Sequence, residues 1–214
     1  AGIFPPARLK PVRERFLENK RNREYRLRDD GPLFRDIIER GELPILCFCF
    51  SRRLCESKAR KAARGAQLLS EEERERAEAL WATAQAEFGF DPRRGPLADL
   101  KKMTMRGVGA HHAGMLPLNK ELVERLFTAG LLKLLFTTET FALGINMPAR
   151  TVVFDSIAKF DGVDFDWLRT RDFMQMAGRA GRQGMDEVGL VYAVLEYDDV
   201  VDAPIHRILS GAVE

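Results

Sequence analysis

Short continuous apolar runs alternate along this chain with longer stretches in which apolar residues recur every three or four positions. Ile45 to Phe50, Val108 to Ala110, Leu131 to Phe136, Thr151 to Phe154 and Leu190 to Leu195 are short runs that are apolar on both faces, Lys133 aside. A strand that is covered on both faces has this character, as in parallel sheets flanked by helices. Between the runs lie helical patterns. The spacing of Leu33, Phe34, Ile37 and Ile38 predicts a short helix that begins near Pro32 and stops at Gly41. Ser70-Glu71-Glu72-Glu73 has the form of a capping box, and Ala77, Leu80, Trp81, Ala84 and Phe88 follow on one face until Gly89, so Trp81 and Phe88 are expected in the core. A further helix is expected from Asn119 to Gly130, with Leu122, Leu126 and Phe127 inward and Glu121 paired with Arg125 outside. Strands that alternate with helices imply an α/β fold, a parallel sheet with helices on both faces.

Residues 1–31 break this rhythm. They are dense in Arg and Lys and interrupted by Pro5, Pro6 and Pro11, as in a solvated basic connector. The segment from Cys55 to Asp99 is expected to be a packed helical excursion. Across all 214 residues, 34 basic side chains nearly balance 32 acidic ones, so any surface suited to nucleic acid must be local. No apolar run reaches the length of a membrane span, and the expectation is a cytoplasmic protein. The three cysteines fit neither a disulfide framework nor a zinc site, and are expected as buried strand thiols.

In doubly wound sheets, ligands gather beyond the carboxyl ends of the strands. The loops that follow the predicted strands read Ser51-Arg52-Arg53, His111-His112-Ala113-Gly114-Met115-Leu116-Pro117 and Thr138-Glu139-Thr140-Phe141-Ala142-Leu143-Gly144-Ile145-Asn146-Met147-Pro148. A fourth segment, Gln175-Met176-Ala177-Gly178-Arg179-Ala180-Gly181-Arg182, carries two arginines three apart among glycines. Guanidinium forks donate paired hydrogen bonds to phosphate oxygens, and glycine lets backbone come close to a ligand. Alone, such a segment reads equally as a glycine-capped helix end with solvated arginines. Two adjacent histidines after a strand point in different directions, so no metal site is expected there. Asp186-Glu187-Val188-Gly189 is expected to be a turn into the last strand.

Together and in this order, the four segments resemble the second RecA-like domain of superfamily 2 helicases, in particular the Ski2-like group that includes the Mtr4-like RNA helicases. Gln175 to Arg182 fits the form Q-x-x-G-R-x-G-R, Thr138 to Pro148 the form T-E-T-F-A-x-G-x-N-M-P, and His111 to Pro117 the form H-H-x-G-x-x-P. The resemblance implies a RecA-like domain over residues 32–200, with 1–31 as an interdomain connector and 201–214 as the start of a following region. It implies ATP and Mg2+ held mainly by a first RecA-like domain of the same polypeptide, since no phosphate-binding G-x-x-x-x-G-K-[ST] occurs here. Arg182 would be the arginine finger, Arg179 its partner and Gln175 a group beside the γ-phosphate, with Gly144 and Asn146 close to the same phosphate. Ser51, Arg52, His112, Gly114 and Thr138 would hold the backbone of a single nucleic-acid strand, RNA being favoured. A DNA helicase of the same superfamily and a noncatalytic nucleic-acid-binding module on this fold are the alternatives.

Overall fold

The computed structural model of the chain describes residues 31–139, 147–160, 165–195, 199, 201 and 203–211. Seven helices and seven strands are described: α1 (Gly31–Glu39), β1 (Ile45–Phe48), α2 (Arg52–Gly65), α3 (Glu71–Phe88), α4 (Gly95–Thr104), β2 (Val108–His111), α5 (Pro117–Thr128), β3 (Leu134–Thr137), β4 (Thr151–Phe154), β5 (Ala158–Phe160), β6 (Phe165–Trp167), α6 (Thr170–Ala177), β7 (Leu190–Ala193) and α7 (Ile205–Ser210). The basic segment 1–30 lies outside the described residues, as do Gly144 and Asn146.

Five strands form one parallel sheet in the order β2-β3-β1-β4-β7. Successive side chains of a strand point to opposite faces, and each face here has its own core. Leu46, Phe48, Leu135, Val152 and Phe154 pack on one side with Trp81, Leu122, Leu126, Phe173 and Ile208. Ile45, Cys47, Val108, Ala110, Leu134, Phe136 and Val153 pack on the other with Phe34, Ile37, Cys55 and Ala59. The expected α/β sheet with helices on both faces is therefore present. At Gly109 an added Cβ would stand 3.0 Å from Leu132 Cδ1 and 3.1 Å from Leu135 Cδ1, so a side chain there would have to push these leucine methyls aside.

The ends of α3 follow the sequence signals, whereas α5 begins at Pro117, two residues before the expected Asn119. Ser70 accepts from the Glu73 N–H while Glu73 accepts from the Ser70 N–H, the reciprocal cap expected, and Gly89 ends α3 in the left-handed region. Trp81 is 1% exposed and its indole N–H donates to Thr104 Oγ1 at 3.1 Å. Phe88 differs from expectation. It is 44% exposed, and the Arg125 guanidinium lies over its ring at 5.1 Å. Arg125 also meets both oxygens of Glu87 on α3 and Oε1 of Glu121 on its own helix, so a charged seam joins α3 to α5 where an apolar contact was expected.

The segment 55–99 is helical as anticipated, and its helices α2, α3 and α4 flank the sheet. Of the three cysteines, all buried, only Cys47 sits in a strand; Cys49 follows it and Cys55 is on α2. The antiparallel hairpin β5–β6 has no counterpart in the apolar pattern. Helix α7 packs against α6, with the Thr170 hydroxyl donating to the Arg207 carbonyl and Ile208 buried. Among the described residues no helix is long and apolar enough to cross a membrane.

Candidate functional site

Two groups of the singled-out residues gather, and they do so at opposite ends of the sheet. The first lies beyond the carboxyl ends of β1, β2 and β3. Ser51 follows β1 and caps α2, accepting from the Leu54 N–H at 3.2 Å. Ser51, Arg52, Ala113 and Thr138 line one concavity of about 180 Å³, together with Glu139 and Lys159. Gly114 packs against Arg52: an added Cβ would stand 3.1 Å from both Cδ and Nη1 of Arg52 and 3.3 Å from His112 Nδ1. Of the five residues expected to hold a strand backbone, Ser51, Arg52 and Thr138 line this concavity and Gly114 packs against Arg52, while His112 is buried beside Gly114.

The adjacent histidines take separate partners, as expected for neighbours that leave a strand. His111 Nε2 meets Glu124 Oε1 at 2.7 Å, and His112 Nε2 meets Glu56 Oε1 at 3.0 Å. Burial pushes the His111 imidazole below its ordinary pKa, opposed by the Glu124 carboxylate. His112 is 3% exposed and held between α2 and the loop, so it fixes the loop that presents Gly114. No group of three or more metal-ligating side chains is gathered among the described residues.

The second group lies at the amino ends of β4 and β7. Helix α6 leaves the hairpin near the carboxyl end of β4, where the Leu168 N–H donates to the Ile157 carbonyl, and runs back along the sheet. Phe173 anchors it by stacking on Phe154 at 4.5 Å between ring centroids. Its end reaches Ala149, just before β4. There the Ala149 N–H donates to the Arg179 carbonyl at 2.9 Å and the Gly181 N–H to the Ala149 carbonyl at 2.7 Å. The carboxyl-end rule therefore locates the first group and not the arginine turn. Gly181 has φ +90°, and an added Cβ at Gly189 would fall 2.4 Å from the backbone of Ala180, so two glycines let the turn fold onto the start of β7.

Gln175 is exposed on α6, and Arg179 and Arg182 are partly exposed in the turn. Arg182 is held firmly. Its Nε and Nη2 donate to the two oxygens of Asp186, each at 2.8 Å, and its backbone N–H donates to Asp186 Oδ2 at 2.9 Å. The Asp186 side chain is only 3% exposed. Arg182 holds its carboxyl well below the ordinary range, at about 2, against the opposing effect of burial. This fork uses one edge of the guanidinium, and a guanidinium has five N–H donors, so Nη1 and the second Nη2 hydrogen are not engaged by Asp186. Sequence reasoning took Asp186 for a turn residue only. Its spacing of four from Arg182 was the available signal.

A third feature borders the first group's concavity and ties it to the head of α6. Lys159, on β5, donates to Glu139 Oε2 at 2.9 Å and to Asp172 Oδ2 at 2.8 Å, and the two carboxylates raise its pKa although burial acts the other way. Neither acid was singled out for a role in the sequence.

The helicase conserved C-terminal domain family matches residues 93–184, a span that holds the histidine loop, Thr138 and the whole arginine turn. With the five-stranded parallel sheet and both residue groups in place, the chain belongs to the RecA-like helicase C-terminal domains. Within them it is of the Ski2-like, Mtr4-like kind. It is 39% identical over 184 residues to the DExH-box ATP-dependent RNA helicase DExH9 of Arabidopsis thaliana, 40% over 180 residues to the exosome RNA helicase MTR4 of Homo sapiens, and 40% over 180 residues to the superkiller complex protein 2 of Mus musculus. The aligned parts are 85%, 83% and 84% of this chain, and 18%, 17% and 14% of those relatives. The chain thus spans less than a fifth of each.

Proposed function

We propose that this chain is the C-terminal motor domain of an ATP-dependent RNA helicase, supplying arginines to ATP and gripping the backbone of a single strand. One observation carries the reading: a concavity lined by Ser51, Arg52 and Thr138, with Gly114 packed against Arg52, at one end of the sheet, and an arginine turn at the other, joined by helix α6. The strand group offers a guanidinium, hydroxyls and a close-approach glycine to a sugar-phosphate backbone, a grip that carries no base information.

At the other end, ATP supplies a transferable γ-phosphoryl group whose charge must be met. Arg182 would meet it with the edge that Asp186 leaves open, while Arg179 adds a second cation and Gln175 an amide. Asp186 keeps the guanidinium oriented before ligand arrives, so little reorganisation is needed as charge develops. Gly144 and Asn146 belong to this group by sequence and lie outside the described residues. The ligands of Mg2+, like the phosphate-binding loop, are assigned to a first RecA-like domain of the same polypeptide. The division into a basic connector over 1–31, the motor domain over 32–200 and the start of a following region from 201 belongs to the same reading. So does a cytoplasmic setting, which suits three buried thiols.

RNA is favoured over DNA because the names of two of these relatives, DExH9 and MTR4, specify RNA helicases and the grip itself does not discriminate sugars. The test is ATP turnover of the intact protein with single-stranded RNA and with DNA of the same sequence. Stronger stimulation by RNA supports the reading. Equal or stronger stimulation by DNA points to a DNA helicase, and no turnover with either points to a noncatalytic module.

A further inference from the structure

Lys159 belongs to none of the four motif segments, yet it joins two of them. Its ammonium bridges Glu139, which follows Thr138 in the strand-facing loop, and Asp172, in the first turn of α6. The lysine itself comes from a third segment, the β5–β6 hairpin. Its side chain is 21% exposed, and those of Glu139 and Asp172 are 44% and 27% exposed. This is a partly desolvated triad and not a solvated surface pair, and such pairs are screened less by salt than exposed ones.

The place of α6 gives the triad its meaning. The helix begins at the carboxyl end of the sheet, beside the Lys159 bridge, and ends at the amino end, where the arginine turn is bonded to Ala149. Eight helical residues span about 12 Å, and Phe173 stacked on Phe154 keeps this short rod pressed to β4. Gln175 lies one turn after Asp172 on the same helix. A shift of the loop at Glu139 would therefore reach Gln175 and the arginines as a shift of one rigid element. Without the ammonium, two carboxylates face each other across the junction with no cation between them, and the loop and the helix repel instead of moving together.

We propose that Lys159 is a positioning residue that couples the strand-contact group to the arginine turn, by tying Glu139 to Asp172 at the head of α6. The proposal rests on the functional reading of those two groups given above. It assigns Lys159 no contact with ATP; Lys159 and Glu139 border the strand-side concavity, but the ammonium is turned to the two carboxylates, so its role is to tie them together.

The experiment uses the intact protein with poly(U) as the strand, and measures ATP turnover without and with saturating poly(U), together with poly(U) affinity. For Lys159→Met, stimulation by poly(U) should fall about 5- to 150-fold, the usual range of a coupling between sites. Affinity for poly(U) should stay within about twofold of the parent, a change of less than half a kcal/mol. Lys159→Arg, which can still bridge two carboxylates, should recover most of the stimulation. Asp172→Asn should lose stimulation as Lys159→Met does, and the double variant should lose little more than either, as members of one network are non-additive.

Affinity and stimulation falling together would overturn the proposal and make Lys159 a strand contact. So would an equal loss of unstimulated and stimulated turnover with a lower melting temperature, which would mark the triad as structural only. Additive losses from Lys159→Met and Asp172→Asn would overturn it as well. If the parent protein shows no stimulation by poly(U), the functional reading fails and the coupling with it; if the parent is stimulated and Lys159→Met is equally so, the coupling alone fails.

Discussion

Asp186 shows how one carboxylate can set the state of an arginine four residues away. Its two oxygens take the Nε–Nη2 edge of Arg182 and the backbone N–H, so the side chain and the turn are fixed together. Asp186→Asn keeps the shape but loses the charge-assisted fork. In the intact enzyme we expect turnover to fall on the order of 10²-fold, as for other small misplacements of a reacting group, while strand affinity is retained; steady-state ATP hydrolysis and a strand-binding assay check both. The same pair predicts a pH window. Asp186 has its folded pKa lowered from 3.8 to about 2, so its contribution to stability is fully present above 3.8 and is lost as pH falls towards 2. Melting temperatures of the parent and Asp186→Asn should therefore differ at neutral pH and converge in that acid window. A constant difference down to pH 2 would contradict the assignment.

Among the elements, the last turn before β7 is tightly constrained. An added Cβ at Gly189 would lie 2.4 Å from Ala180 C and O and 2.6 Å from the Gly181 nitrogen, all backbone atoms that cannot rotate away. Gly189→Ala should therefore cost about 1–3 kcal/mol, seen as a fall of several degrees in melting temperature, and should disturb the arginine turn packed against it. An unchanged melting temperature would contradict this packing. The strands were legible in the sequence because β1 to β4, buried at every position, read as near-continuous apolar runs, and the five runs contain the five strands of the parallel sheet, the half-exposed edge strand β7 included. Their ends were less so. Leu131 and Leu132 extend the apolar run but are buried before β3 begins, where the turn from α5 packs into the core. The hairpin β5–β6 was not legible, since strands of three residues leave no periodicity to read. Phe88 followed the apolar face of α3 yet lies outside, because the last turn of that helix meets a charged seam instead of the sheet. The motif residues could be picked out as words, whereas their separation to opposite ends of the sheet depends on α6 running back along β4.

For the molecule as a whole, the account requires two partly built sites on one domain, each completed by something else. The purified chain should hydrolyse no ATP on its own, because the phosphate-binding loop and the Mg2+ ligands are assigned elsewhere. Turnover by this chain that survives Arg182→Ala would show the catalytic machinery to be misplaced. Its hold on single strands should be weak and should loosen steeply as salt rises, since counterion release drives backbone contacts; an affinity indifferent to salt would speak against that grip. The central claim is that the two ends of the sheet do different work. The most direct measurement takes the intact enzyme and compares ATP turnover and RNA affinity for Arg182→Ala and Thr138→Ala. Arg182→Ala should lower turnover by about 10³- to 10⁵-fold with RNA affinity nearly unchanged, and Arg182→Lys should recover little, because an ammonium cannot form the planar fork. Thr138→Ala should weaken RNA binding and its stimulation more than basal turnover. If both substitutions instead lower turnover and RNA affinity by similar factors, the two groups are not separate sites, and Arg182 serves mainly to hold the domain together.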